Sequence, residues 1–261
     1  MPTLDCGLWF VVCGSLCVAL THIIPATPPP NRVPLDLHML CAPTDVAPPD
    51  VSVRADQPPF VGPEGWRAET VRLIEEHFPK ADAPDGSYRK PPMFVGRCSR
   101  GGKSRALAEV CAMFKQRHPD YAVILISLND TTTLQAWEHD DPVGAICRRI
   151  AFSAYKHRST TTFRTFFEKY SVSEQLILKW LGAAGCMVGI DELNNLDAFQ
   201  DSKGSSSVSV FIKENFLATA GRYTVFSSHV APTGRQLTAY MESSRNSKRD
   251  VIVRELPTVP R

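Results

Sequence analysis

Residues 121–128 read Tyr-Ala-Val-Ile-Leu-Ile-Ser-Leu, an almost unbroken apolar run rich in β-forming side chains. A strand with one wet face alternates apolar and polar residues, whereas a strand covered on both sides is apolar nearly throughout. The run therefore predicts a strand buried between two layers. Shorter runs of the same kind occur at 93–95 (MFV), 186–190 (CMVGI) and 223–228 (YTVFSS), and 251–256 (VIVREL) is a last strand candidate. Between them the period changes to that of a helix. Trp66, Thr70, Leu73, Ile74 and Phe78 fall on one helical face of 66–78, and Leu107, Val110, Cys111 and Phe114 on one face of 103–117. Further helices are predicted near 142–157, 173–183 and 208–219. Strands alternating with helices predict an α/β fold, a parallel sheet with helices on both faces. No internal repeat is visible.

The N-terminal part has a different character. Residues 7–24 contain no Lys, Arg, Asp or Glu. This apolar segment approaches the ~20 residues needed to cross a bilayer. Its preceding MPTLDC has no basic residue, unlike the start of a secretory signal. The segment reads as a membrane anchor, a signal peptide or a non-native extension. Residues 25–63 follow with eleven prolines in 39 residues. Proline removes backbone donors and fixes φ, so this stretch is expected to be a Pro-rich linker or irregular arm, with the folded core at 64–261.

Charge and cysteine content remove several function classes. Lys and Arg total 29 against 27 Asp and Glu, a net charge of +2, so no basic footprint supports nucleic-acid binding. The basic residues Arg245, Lys248 and Arg249 lack interleaved aromatics and read as a solvated loop. The eight cysteines form no CxxC pair, and no HExxH is present. A structural zinc site is not indicated, His38 and Cys41 are read as unrelated, and the thiols as reduced, mostly buried small hydrophobes.

The most informative stretch is MFVGRCSRGGKSRALAEV, residues 93–110: a strand, a glycine-containing loop and the start of a helix. Gly101 and Gly102 let backbone N–H groups approach phosphate oxygens, and the helix N-terminus adds partial positive charge. Lys103 would reach the β- and γ-phosphates, and the Ser104 hydroxyl would ligate Mg²⁺. The spacing departs from G-x-x-x-x-G-K-[ST]. Arg97 stands where the first glycine belongs, and Gly96 comes one residue earlier. Either the loop is one residue longer, or Arg97 takes that place with its side chain turned away. Gly96, Arg97, Ser99, Arg100, Gly101, Gly102, Lys103, Ser104 and Arg105 form the expected nucleotide-binding set.

A second motif, CMVGIDEL at 186–193, ends a hydrophobic strand in Asp191 and Glu192. Ligands of open α/β sheets bind beyond the carboxyl ends of the strands. Asp191 would hold Mg²⁺ through water, and Glu192 would orient and deprotonate an attacking water. Neighbouring residues of a strand point to opposite faces, so the two carboxylates can serve one site only if the strand stops at Asp191. The strand at 223–228 ends in Ser227 and Ser228, followed by His229.

With these residues together, the chain resembles P-loop NTPases of the additional-strand, catalytic-glutamate division, which includes AAA+ and STAND ATPases. More narrowly, RCSRGGKSRAL followed by IDEL is similar to the ATPase modules of crinkler-type and retrotransposon hot spot proteins. The resemblance covers about 91–256. It implies a three-layer αβα sandwich with five mainly parallel strands in the order 5-1-4-3-2, and ATP and Mg²⁺ as cofactors. It assigns catalytic roles to Lys103 and Glu192 and the metal to Ser104 and Asp191. In such ATPases the strand between the two motif strands ends in a polar residue that senses the γ-phosphate, and Ser228 is the choice for it, with Ser227 and His229 as alternatives. No helical lid is expected before Arg261. An arginine supplied in trans, by a second copy or a protein partner, would then complete the site, leaving the monomer a slow hydrolase. The absence of NKxD disfavours a GTPase, and the absence of an LSGGQ-like signature disfavours an ABC-type ATPase. The alternative function is a degenerate nucleotide-binding scaffold that recruits a protein or nucleic-acid partner. The expected location is intracellular, nuclear or cytoplasmic, with membrane anchoring through 7–24 as the alternative.

Overall fold

The computed structural model describes residues 29, 31–48, 65–96, 102–129, 132–195, 207–228 and 249–256. Its strands are β1 (Val33–Pro34), β2 (Met93–Gly96), β3 (Ala122–Ser127), β4 (Tyr170–Ser171), β5 (Cys186–Asp191), β6 (Arg222–Ser228) and β7 (Ile252–Glu255). The two-residue strands β1 and β4 pair with each other. The other five make one sheet in the order β3-β5-β6-β2-β7, each neighbouring pair parallel. The helices are α1 (Trp66–His77), α2 (Lys103–Arg117), α3 (Pro142–Ala154), α4 (Phe163–Lys169), α5 (Glu174–Leu181) and α6 (Ser207–Ile212). A π-helical turn, Lys213–Leu217, extends α6.

The alternation of strand side chains builds two cores. Met93, Val95, Val123, Met187, Tyr223 and Val225 join the apolar faces of α1 and α2. Phe94, Ile124, Ile126, Val188, Ile190 and Phe226 face the other way, toward α3, α4, α5 and α6. Strands β2, β3, β5 and β6 are thus covered on both sides, which is why β3 and most of β2 and β5 are apolar, whereas β7 at the edge alternates half-buried with exposed residues. On α2, Leu107, Val110 and Phe114 are fully buried. Burying a side chain of this size stabilises by about 1.5–3 kcal/mol. The helices on the second face start on local signals. Asp141 accepts the Gly144 N–H at 3.1 Å with Pro142 as the first residue of α3, Thr162 caps α4, and Ser173 caps α5.

Three features differ from the sequence expectation. Residues 31–48 are irregular, as their prolines require, but they are not a free linker. Leu35, Leu40 and Val46 are buried in the second core. Val46 O accepts the Val123 N–H on the outer edge of β3 at 3.3 Å, and Trp180 Nε1 donates to Cys41 O at 2.8 Å. Apolar side chains between the prolines supply contacts that proline itself cannot.

Helix α4 was not expected from the sequence. Its Phe163, Phe166 and Phe167 lie at i, i+3 and i+4 and are buried, which is the signal that identifies it.

Arg249 is not part of a solvated loop. It is 3% exposed, and it donates to Asp82 Oδ1 and Lys90 O at 2.8 and 2.9 Å. Arg245, Lys248 and residues 7–24 lie outside the described residues. Among the described residues no helix is long and apolar enough to cross a membrane. Cys111, Cys147 and Cys186 are buried free thiols, and Cys41 is a half-buried one.

Candidate functional site

The ladder registers bring the carboxyl ends of all five strands of this sheet level. Gly96 pairs with Ser228 on one side and Glu255 on the other, and Ser127 pairs with Asp191. Loops leaving a parallel sheet at this edge form its ligand crevice. The loop after β2 returns into α2 through Gly102, which has φ +78°. This left-handed conformation suits glycine and is unfavourable for a residue with a Cβ. Ala106 N–H donates to Gly102 O at 2.9 Å and opens the helix. The first amides of α2 have no partner earlier in the helix, and together with its dipole they favour an anion.

Side-chain parity decides what meets at this edge. Along β5, Met187 belongs to the α2 core, and a Cβ at Gly189 would lie 2.8 Å from the Cys111 sulfur of α2. Asp191, two residues on, continues on the α2 side. Along β6, Tyr223 and Val225 face α2, and Ser227 follows in the same phase. Ser228 takes the opposite phase, with Phe226. The geometry agrees: the Ser227 hydroxyl donates to Asp191 Oδ1 at 2.5 Å and accepts the Glu192 N–H at 3.3 Å. From the helix side, the Ser104 hydroxyl is close enough to the same carboxylate to act on its pKa, and so is the charge of Lys103. Lys103 is 4% exposed, unusual burial for an ammonium, while Ser104 is exposed.

Burial raises the Asp191 pKa above the ordinary carboxylate value. Hydrogen bonds from Ser227 and Ser104 and the charge of Lys103 oppose this, and the nearby Glu192 carboxylate adds to it. The net effect is a carboxylate whose ionised form is disfavoured by its burial. Its immediate donors are hard oxygens, the kind Mg²⁺ prefers. Among the described residues no group of three or more His, Cys, Asp or Glu side chains could hold a metal by itself. A cation at Asp191 and Ser104 would take the rest of its shell from phosphate and water, as Mg²⁺ commonly does.

Of the expected site residues, Gly102, Lys103, Ser104, Asp191 and Glu192 come together at one edge. Gly96 ends β2 beside Ser228, which is 2% exposed. Arg105 is turned along α2, 3.5 Å from Glu109. Arg97, Ser99, Arg100, Gly101 and His229 lie outside the described residues. The hydroxyl found on Asp191 belongs to Ser227, and counting strand parity from Tyr223 and Val225 would have singled it out. A separate open groove of about 660 Å³, lined by Trp66, Ala68, Arg72, Arg117 and Arg254 among others, shares no residue with this edge.

Compared with protein-family models and with curated proteins, the chain finds no match.

Proposed function

We propose that the chain binds a nucleoside triphosphate with Mg²⁺ at the α2 N-terminus and hydrolyses it, ATP being the preferred nucleotide. The observation that carries this reading is the meeting of Ser104 and Lys103 with Asp191, from a loop-to-helix junction and a strand end 87 residues apart. A polyphosphate needs backbone donors, a fixed cation and a metal anchored opposite them. Those chemical elements are Gly102 and the α2 amides, Lys103, and the Ser104–Asp191 pair.

The sheet supports the same reading. Numbered within the sheet along the chain, its order from β7 to β3 is 5-1-4-3-2, the order implied by the resemblance to additional-strand P-loop ATPases. The strand between the two motif strands is β6, and it delivers a hydroxyl to the carboxylate. The preference for ATP rests on that resemblance and on the absence of NKxD. Glu192, adjacent to Asp191, is the candidate general base, which favours water over a bound hydroxyl as phosphoryl acceptor. Gly96, Arg97, Ser99, Arg100, Gly101 and Arg105 remain the proposed loop contacts, and an arginine in trans the proposed accelerator.

Glu192→Gln tests the hydrolytic part. It is expected to retain Mg²⁺-ATP binding and to abolish phosphate release. Turnover that survives the change would remove Glu192 as the base. Mg²⁺-ATP binding by the wild-type chain with no phosphate release at any protein concentration would favour the scaffold reading.

A further inference from the structure

Strand β5 ends at Asp191, and Glu192 breaks it with φ +57°. Among the described residues only Asn31 and Glu192 have positive φ without being glycine. A side chain with a Cβ stays in that region only where its surroundings over-determine it. At least three hydrogen bonds among the described residues hold this turn. Leu128 N–H donates to Asp191 O at 3.1 Å, and Asn195 N–H donates to Glu192 O at 3.0 Å. The third is the Glu192 N–H donating to Ser227 Oγ at 3.3 Å, while the same hydroxyl donates to Asp191 Oδ1. The first two are main-chain bonds. The third comes from a side chain of another strand, and it engages both acidic residues at once.

The turn matters because a continued strand would send Asp191 and Glu192 to opposite faces of the sheet. Ending the strand between them breaks that alternation. Ser227 is fully buried, so water does not stand in for its hydroxyl. A methyl group there would leave the Glu192 amide without its acceptor, an expensive state for a half-buried donor.

We infer that Ser227 is a positioning residue: its hydroxyl, between the Glu192 amide and the Asp191 carboxylate, fixes the turn that sets the Glu192 side chain relative to the metal-side carboxylate. The catalytic consequence rests on the proposed ATP hydrolysis. The holding of the turn does not, and the free protein reports it.

The test uses the full chain with Ser227→Ala and Ser227→Thr, the second keeping the hydroxyl. Hydrogen exchange of the Glu192 amide in the nucleotide-free protein is the first readout, and steady-state ATP hydrolysis the second. In Ser227→Ala the amide is expected to exchange about tenfold faster or more, because its local opening is easier. The kcat falls by roughly ten- to a hundredfold while KM for ATP stays within about threefold, as for a misplaced catalytic group. Ser227→Thr returns both toward wild type. An amide equally protected in Ser227→Ala overturns the inference. A loss carried by KM alone, or one that threonine fails to rescue, overturns its catalytic part. If the wild-type chain hydrolyses no ATP, the proposed hydrolysis fails, and the exchange measurement still decides the role of Ser227.

Discussion

Gly189 of β5 lies against Cys111 of α2 so closely that a Cβ on the glycine would come within 2.8 Å of the sulfur and 3.1 Å of a Leu125 methyl. The helix that opens with Lys103 and Ser104 is thereby set at its distance from the strand that ends in Asp191. Gly189→Ala is expected to destabilise by about 1–3 kcal/mol, the usual cost of overpacking. Differential scanning calorimetry checks this. Because the tightest contact is with the sulfur, Cys111→Ala in the same chain recovers part of the loss. Additive losses in the double variant would mean that the two residues do not press on each other.

The buried Asp191 gives a pH dependence whose sign follows from its raised pKa. The native state holds this proton at pH values where the unfolded chain has released it. The stability this contributes is complete below the ordinary carboxylate pKa and is lost as pH rises through the native value. Above its raised native value the ionised carboxylate therefore weighs against the nucleotide-free fold. Asp191→Asn is expected to melt higher than wild type at pH 7, and the difference is expected to disappear near pH 4. The same variant loses Mg²⁺-dependent nucleotide affinity by about ten- to a hundredfold, in line with the loss of an outer-shell partner. Thermal melts at several pH values, with and without Mg²⁺-ATP, measure both effects. A variant less stable than wild type at pH 7 would contradict this assignment.

Glu138 carries the second buried charge cluster. It is 1% exposed and accepts from Arg148 Nε at 2.8 Å and from two Arg149 nitrogens at 3.0 Å. Burial would raise its pKa, but the Arg149 hydrogen bonds, the charges of Arg149 and Arg148 and the Gln135 N–H outweigh it, and the pKa is lowered. Its stabilisation is present above the ordinary glutamate range and is lost as pH falls through the lowered value. Glu138→Ala leaves Arg149 buried without its carboxylate, while Arg148 keeps Asp141 at 2.9 Å, and is expected to cost about 3–5 kcal/mol. Denaturant unfolding at pH 7 measures this. A cost within experimental error would show that the arginines find other partners.

Residues 31–48 make a separate prediction. Leu40 is 4% exposed in the core under α3 and α5 and forms a bridge with Tyr155. Leu40→Ala is expected to cost about 2–5 kcal/mol if this stretch belongs to the folded unit. A substitution in a free linker would cost nothing measurable by the same denaturant titration.

The sheet was legible because burial on both faces writes itself into local sequence: the apolar runs at 121–128 and 186–190 are strands, and Gly102-Lys103-Ser104 does open a helix. The Pro-rich stretch misled because proline density reports the lack of regular structure, and not the lack of contacts, which Leu35, Leu40 and Val46 make with residues far along the chain. The basic neighbours of Arg249 suggest a solvated loop, whereas its environment is set by Asp82, 167 positions away. At the end of β6, polarity alone does not separate Ser227 from Ser228. The phase of Tyr223 and Val225 does, and it needs only the assumption that the core beneath α2 continues to the strand end. The left-handed turn at Glu192 has no local signal, since glutamate gives no reason to expect positive φ.

The most direct test of the account is a calorimetric titration of Mg²⁺-ATP into wild type and Lys103→Ala, repeated with GTP and without Mg²⁺. Binding by wild type is expected to be Mg²⁺-dependent, to favour ATP, and to weaken at least about tenfold when the cation at the helix start is removed. Equal affinity in Lys103→Ala, or no binding by wild type, would contradict it.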